Sequence, residues 1–90
     1  MKLYYSEEAL ENLRRFDAVE RRLIAKKLRY LAENFEVLRR GKKIRELKGT
    51  EFPNQYRYVI ARKIRAIFRV EEDRVVLLIL RIGRRKDIYE

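Results

Sequence analysis

Residues 64–82 read Ile64-Arg65-Ala66-Ile67-Phe68-Arg69-Val70-Glu71-Glu72-Asp73-Arg74-Val75-Val76-Leu77-Leu78-Ile79-Leu80-Arg81-Ile82, two apolar segments on either side of a charged tip. The first alternates. Ala66, Phe68 and Val70 point one way and Arg65, Ile67 and Arg69 the other, the period of two expected of a strand with one buried face. The second, Val75 to Ile82, is apolar without a break from Val75 to Leu80, which suits a central strand covered on both faces. Arg74 and Arg81 bracket this aggregation-prone run with charge. Glu71-Glu72-Asp73 makes the hairpin tip, where Arg69 and Arg74 are expected to pair with Glu71 or Glu72. A further strand over Tyr56 to Ile60, entered through a turn at Pro53-Asn54, completes a three-stranded antiparallel meander.

Working outward, Lys2 to Tyr5 alternates and carries two aromatics, which predicts a short first strand. Ser6 reads as the N-cap of a helix whose first turn holds Glu7 and Glu8, with Ala9, Leu10, Leu13 and Phe16 as its apolar face. Asp17 and Glu20 predict a capping box opening a second helix, with Val19, Leu23, Ile24, Leu28, Leu31 and Phe35 as its apolar set. These residues are expected to cover a sheet rather than form a dimer seam, since the run is shorter than three heptads. Glu36 to Thr50 is a charged connector with Gly41 and Gly49. The expected architecture is a single α+β domain over 1–90: an N-terminal strand, a two-helix hairpin and the meander, with both helices on one face of the sheet. The other face, rich in arginine, is expected to be open.

Ninety residues suffice for one modest core. The formal net charge is +10, and it is unevenly placed: residues 39–90 hold sixteen Lys/Arg against seven Asp/Glu, whereas residues 1–38 are nearly balanced. Such a basic half suits nucleic acid, an acidic protein or an anionic surface. A thermophile-like surface accounts for the composition equally well. With no Cys and no His, a disulfide framework and a thiolate or imidazole metal site are excluded, and no cofactor is expected. The longest apolar run falls far short of the ~20 residues a membrane-spanning helix needs. A cytoplasmic location is expected.

Gly83 lets the chain turn out of its last strand into Arg84-Arg85-Lys86-Asp87-Ile88-Tyr89. On or beside the open face this reading collects Lys48, Arg57, Arg65, Arg69, Arg81, Arg84, Arg85 and Tyr89, with Lys86 beside them. Guanidinium groups present rigid forks of donors matched to phosphate oxygens. RNA carries its own nucleophile in the 2′-hydroxyl, so arginines that align and neutralise a phosphate supply much of what cleavage requires. The general base is open among Tyr58, an exposed carboxylate and a group on a partner.

The motifs Leu47-Lys48-Gly49, Tyr56-Arg57, Ile64 to Val70 and Arg81-Ile82-Gly83-Arg84-Arg85-Lys86-Asp87-Ile88-Tyr89, in this order, resemble those of the RelE/ParE superfamily of toxin–antitoxin toxins. The resemblance spans nearly the whole chain, and its tail is more similar to the RelE branch, which cuts messenger RNA in the ribosomal A site, than to the ParE branch, which inhibits DNA gyrase. It implies catalytic roles for Arg65 and Arg85 on phosphate charge and for Tyr89 on the substrate base. RNA contacts are implied for Lys48, Arg57, Arg81, Arg84 and Lys86. It also implies an acidic, RelB-like antitoxin, with the ribosome and messenger RNA as partners. Val59 stands where relatives have a lysine, and Arg84 where many have a histidine. The alternatives are therefore a ParE-like gyrase inhibitor and a degenerate module that binds RNA or ribosomes without cutting.

Overall fold

The computed structural model describes residues 1–49 and 54–88. The turn residue Pro53 and the proposed site residue Tyr89 lie outside these ranges. Strand β1 (Lys2–Tyr5) leads into helices α1 (Glu7–Arg14), α2 (Ala18–Glu33) and the single turn α3 (Phe35–Leu38). Strands β2 (Ile44–Glu46), β3 (Gln55–Ala61), β4 (Ile64–Glu71) and β5 (Val76–Arg84) follow. They make one five-stranded sheet in the order β1-β5-β4-β3-β2, antiparallel except that β1 runs parallel to β5. The expected connector between helices and meander thus contains α3 and the edge strand β2. Three residues of β2 were too few to show an alternating pattern.

Both helix starts follow from their caps. The Ala9 amide donates to Ser6 Oγ at 3.0 Å. At α2, the Glu20 amide donates to Asp17 Oδ1 at 2.8 Å while the Asp17 amide donates to Glu20 Oε1 at 3.2 Å, the reciprocal pair of a capping box. From there Ile24, Leu28, Leu31 and Phe35 bury one stripe against the sheet. Val19 is 67% exposed, and Leu23 and Leu10 are exposed too, contrary to the sequence expectation. Val19 stands five residues before Ile24, a spacing that falls on the far side of a helix with about 3.6 residues per turn.

Between helices and sheet lies the core. Phe68 stacks on Tyr56 with ring centroids 5.3 Å apart, and Phe35 of α3 meets both edge-on, at 5.8 and 5.5 Å. Ala66 and Val70 of β4, Tyr58 and Ile60 of β3, and Leu77, Ile79 and Ile82 of β5 complete it. The sheet's registers skip one residue in two places. Ile60 is passed over between β3 and β4, and Leu80 between β4 and β5, where Phe68 faces Ile79 but Ile67 faces Arg81. The extra residue at Leu80 inverts the alternation of β5. Leu77 and Ile79 face the helices before it; Ile82 faces them after it, and Arg81 and Gly83 turn outward. Strand β1 pairs only with Val76–Ile79, and α1 serves the remaining edge of β5. Ser6 Oγ donates to the Leu80 carbonyl at 2.8 Å, and the Ile82 amide donates to Asn12 Oδ1 at 2.9 Å.

A candidate polyanion cleft

Away from the helices, the sheet's registers set side chains in transverse rows. Arg45, Arg57, Ile67 and Arg81 share one row across β2-β3-β4-β5; Val59, Arg65 and Gly83 share the next. This face is only partly open. Ile67 is buried, and Arg65 is only 9% exposed. Arg69 and Arg74 both pair with Glu71, at 3.2 and 3.0 Å, as the sequence led us to expect. Arg57 keeps a buried Nε with no hydrogen-bond acceptor among the described residues. Arg81 Nε lies 3.5 Å from Glu8 Oε2.

At one end of these rows the β3–β4 turn meets the C-terminal tail. The Arg85 amide donates to the Lys63 carbonyl at 2.8 Å. Residues 84–88 then close one turn, with the Ile88 amide donating to the Arg84 carbonyl at 3.1 Å. Ile88, 2% exposed, folds back onto Gly83; a Cβ built on that glycine would sit 3.2 Å from Ile88 Cδ1. The absence of a side chain at Gly83 thus makes room for the tail to return over the sheet. The result is a cleft of about 710 Å³ whose described lining is wholly cationic: Arg62, Lys63, Arg84, Arg85 and Lys86.

The residues singled out in the sequence fare differently. Arg85 and Lys86 are exposed at the cleft. Arg84 lines it too, but its guanidinium lies 4.9 Å from the centre of the Phe16 ring and donates to Glu20 Oε2 at 3.0 Å. The bulge at Leu80 is the cause, since it turns Arg84 toward the helical side. Arg65 lies under the turn, with Nη1 donating to the carbonyls of Ala61, Arg62 and Ile64 at 2.7, 3.0 and 3.2 Å. Arg57 and Arg81 belong to the outer row. Lys48 is exposed beyond β2, at the opposite end of β3 from the cleft. Tyr58 is buried on the core side, and burial, with a smaller contribution from Tyr30, pushes its phenol above the ordinary value. That removes it as a general base at neutral pH. Arg62 and Lys63 were missed. The signal available was a two-residue strand connection made of two cations, without the Gly, Asn or Asp such loops favour.

A basic cleft on an α+β sheet is compatible with several ancestries, and comparison decides among them. Residues 3–89 match the family described as ParE toxin of type II toxin–antitoxin system, parDE. The chain belongs to the RelE/ParE superfamily of type II toxins. Solved structures agree on the fold. The chain resembles the toxin–antitoxin complex RelBE2 of Mycobacterium tuberculosis at TM-score 0.76 and 16% identity, covering 93% of this chain and 96% of that one. The RelE–RelB complex of Pyrococcus horikoshii aligns at TM-score 0.74 and 21% identity, over 96% of each chain. The intact RelBE complex of E. coli aligns at TM-score 0.69 and 24% identity, over 91% and 93%. No curated protein matches the chain. Among the described residues of this RelE/ParE member, no helix is long and apolar enough to cross a membrane.

Proposed function

We propose that this toxin is a ribosome-dependent endoribonuclease that arrests translation by cutting messenger RNA. The observation that carries the reading is the cleft in which Arg85, Lys86, Arg62 and Lys63 face one another with Arg84 alongside. In this reading Arg85 holds the reacting phosphate and neutralises the charge that builds on phosphorus. The row of Arg45, Arg57 and Arg81 tracks the backbone, Lys86 and Arg84 add long-range attraction, and Tyr89 orients a base. Lys48, remote from the cleft, contacts the ribosome or a distant stretch of RNA. The substrate's 2′-hydroxyl attacks the adjacent phosphorus and the bond to the 5′-oxygen breaks. With no histidine in the chain and Tyr58 held protonated in the core, the ribosome provides alignment and much of the proton transfer. An acidic antitoxin in the cytoplasm covers the cationic face and silences the toxin.

Purified protein added to programmed ribosomes tests this directly. Cuts at the A-site codon, leaving a 2′,3′-cyclic phosphate and a 5′-hydroxyl, are expected; products ending only in 3′-hydroxyls would contradict the mechanism. The matched family's ParE description favours a second reading, a gyrase inhibitor that does not cut RNA. Inhibition of supercoiling at stoichiometric protein, with messenger RNA intact, would establish that reading instead.

A further inference from the structure

The tightest turn of the sheet is held by an unusual device. Arg62 and Lys63 alone join β3 to β4, and neither has the positive φ that the favoured two-residue hairpin turns require; among described non-glycine residues only Asn54 and Val75 do. A turn of the other hand splays its strands, and the skipped residue Ile60 beside it absorbs the mismatch. Such a turn lacks local reinforcement. Its four consecutive carbonyls are instead all taken by donors from outside: Ala61, Arg62 and Ile64 by Arg65 Nη1, and Lys63 by the Arg85 amide.

We propose that the Arg62–Lys63 turn is the second phosphate-binding wall of the cleft, and that Arg65 acts on the ligand through it, as a positioning residue. Three observations converge. Arg62 and Lys63 are exposed and line the cleft opposite the tail cations. Arg65 is buried and engages the turn's backbone at three points, a geometry that only a guanidinium fork, and no lysine, can reproduce in full. The carbonyl dipoles of the turn are bound by donors, so the negative ends that would oppose an anion are already neutralised. The ligand class is the phosphodiester backbone of a single-stranded polynucleotide, whose successive phosphates engage one wall each. This inference rests on the polyanion reading of the cleft and is independent of whether the bound strand is cut.

The test is titration of a fluorescent oligouridylate with the full chain at several salt concentrations, without ribosomes. Relative to wild type, Arg62→Ala/Lys63→Ala is expected to lower the salt slope by about two, one per lost phosphate contact. Arg65→Lys is expected to weaken binding by a large part of that loss in the otherwise wild-type chain, and by less than about twofold in the Arg62→Ala/Lys63→Ala background, because coupled residues fail to add. An undiminished effect of Arg65→Lys in that background would mean direct contact with phosphate and would overturn the positioning role. Wild-type slope and affinity in the turn variant would remove the second wall. No binding by the wild-type chain would remove the cleft as a polyanion site. Both turn side chains are exposed, so the double variant gives a decision even if Arg65→Lys does not fold. Failure of ribosomal cleavage alongside intact oligomer binding would count against the nuclease and leave this inference standing.

Discussion

At the residue scale, burial decides which side chains have chemistry to offer. Tyr5, Tyr56 and Tyr58 all have phenol pKa values raised, mainly by burial. The folded chain therefore holds these protons more tightly than the unfolded chain. Their contribution to stability is complete below the ordinary tyrosine value of about 10 and is lost as pH rises through the raised folded values. Tyr58→Phe is expected to flatten part of the loss of stability above pH 10 and to remove part of the tyrosinate absorbance that appears there; denaturant melts across that range check it. Cleavage at neutral pH should be unaffected by this substitution if Tyr58 is no base. Arg84 offers the opposite lesson. Its position in the motif marks it for RNA, while its contacts with Phe16 and Glu20 tie the tail to the helices. Exposed pairs and cation–π contacts of this kind are each worth less than about 1 kcal/mol, so Arg84→Ala should soften the tail without unfolding the domain.

At the element scale, local chemistry made much of the fold legible. Ser6, Asp17 and Glu20 announced both long helices, and the alternation from Ala66 to Val70 announced β4. Asp17→Ala is expected to cost about 1 kcal/mol, measurable as a shift in denaturation midpoint with an unchanged slope. Less legible were features set by tertiary pairing. The bulge at Leu80 leaves no trace within a run where every residue is apolar, yet it decides that Arg81 faces outward and Arg84 faces α2. Strand β2 exists because β3 offers it a partner. Val75, which the sequence assigns to the last strand, is instead 54% exposed with φ 54°, in the turn before β5. A β-branched residue in the left-handed region is strained. Val75→Gly is therefore expected to stabilise the fold by roughly 0.5–1 kcal/mol, or to break even where the added freedom of the unfolded chain offsets the relief. A thermal melt showing clear destabilisation would mean that Val75 contributes packing that outweighs its strain.

At the scale of the whole molecule, the sheet divides labour between its faces. The helices seal one face around Phe35, Tyr56 and Phe68, and the other carries arginines whose stems flank Ile67 and whose charges collect toward the cleft. The sequence showed the excess of charge and, through Arg84, Arg85 and Lys86, half of the cleft. It did not show Arg62 and Lys63, because their proximity to the tail arises only when β4 and β5 pair and Ile88 docks on Gly83. The central claim is that this cleft, and Arg85 within it, is where the chain meets a reacting phosphate. It is tested most directly by the single-turnover rate of A-site messenger cleavage on programmed ribosomes for wild type, Arg85→Ala and Arg84→Ala. The account predicts that Arg85→Ala slows cleavage by about 10²–10³, the cost of losing one preorganised charge-stabilising donor, and that Arg84→Ala slows it by about tenfold or less. Equal losses for the two variants, or wild-type cleavage by Arg85→Ala, would contradict it.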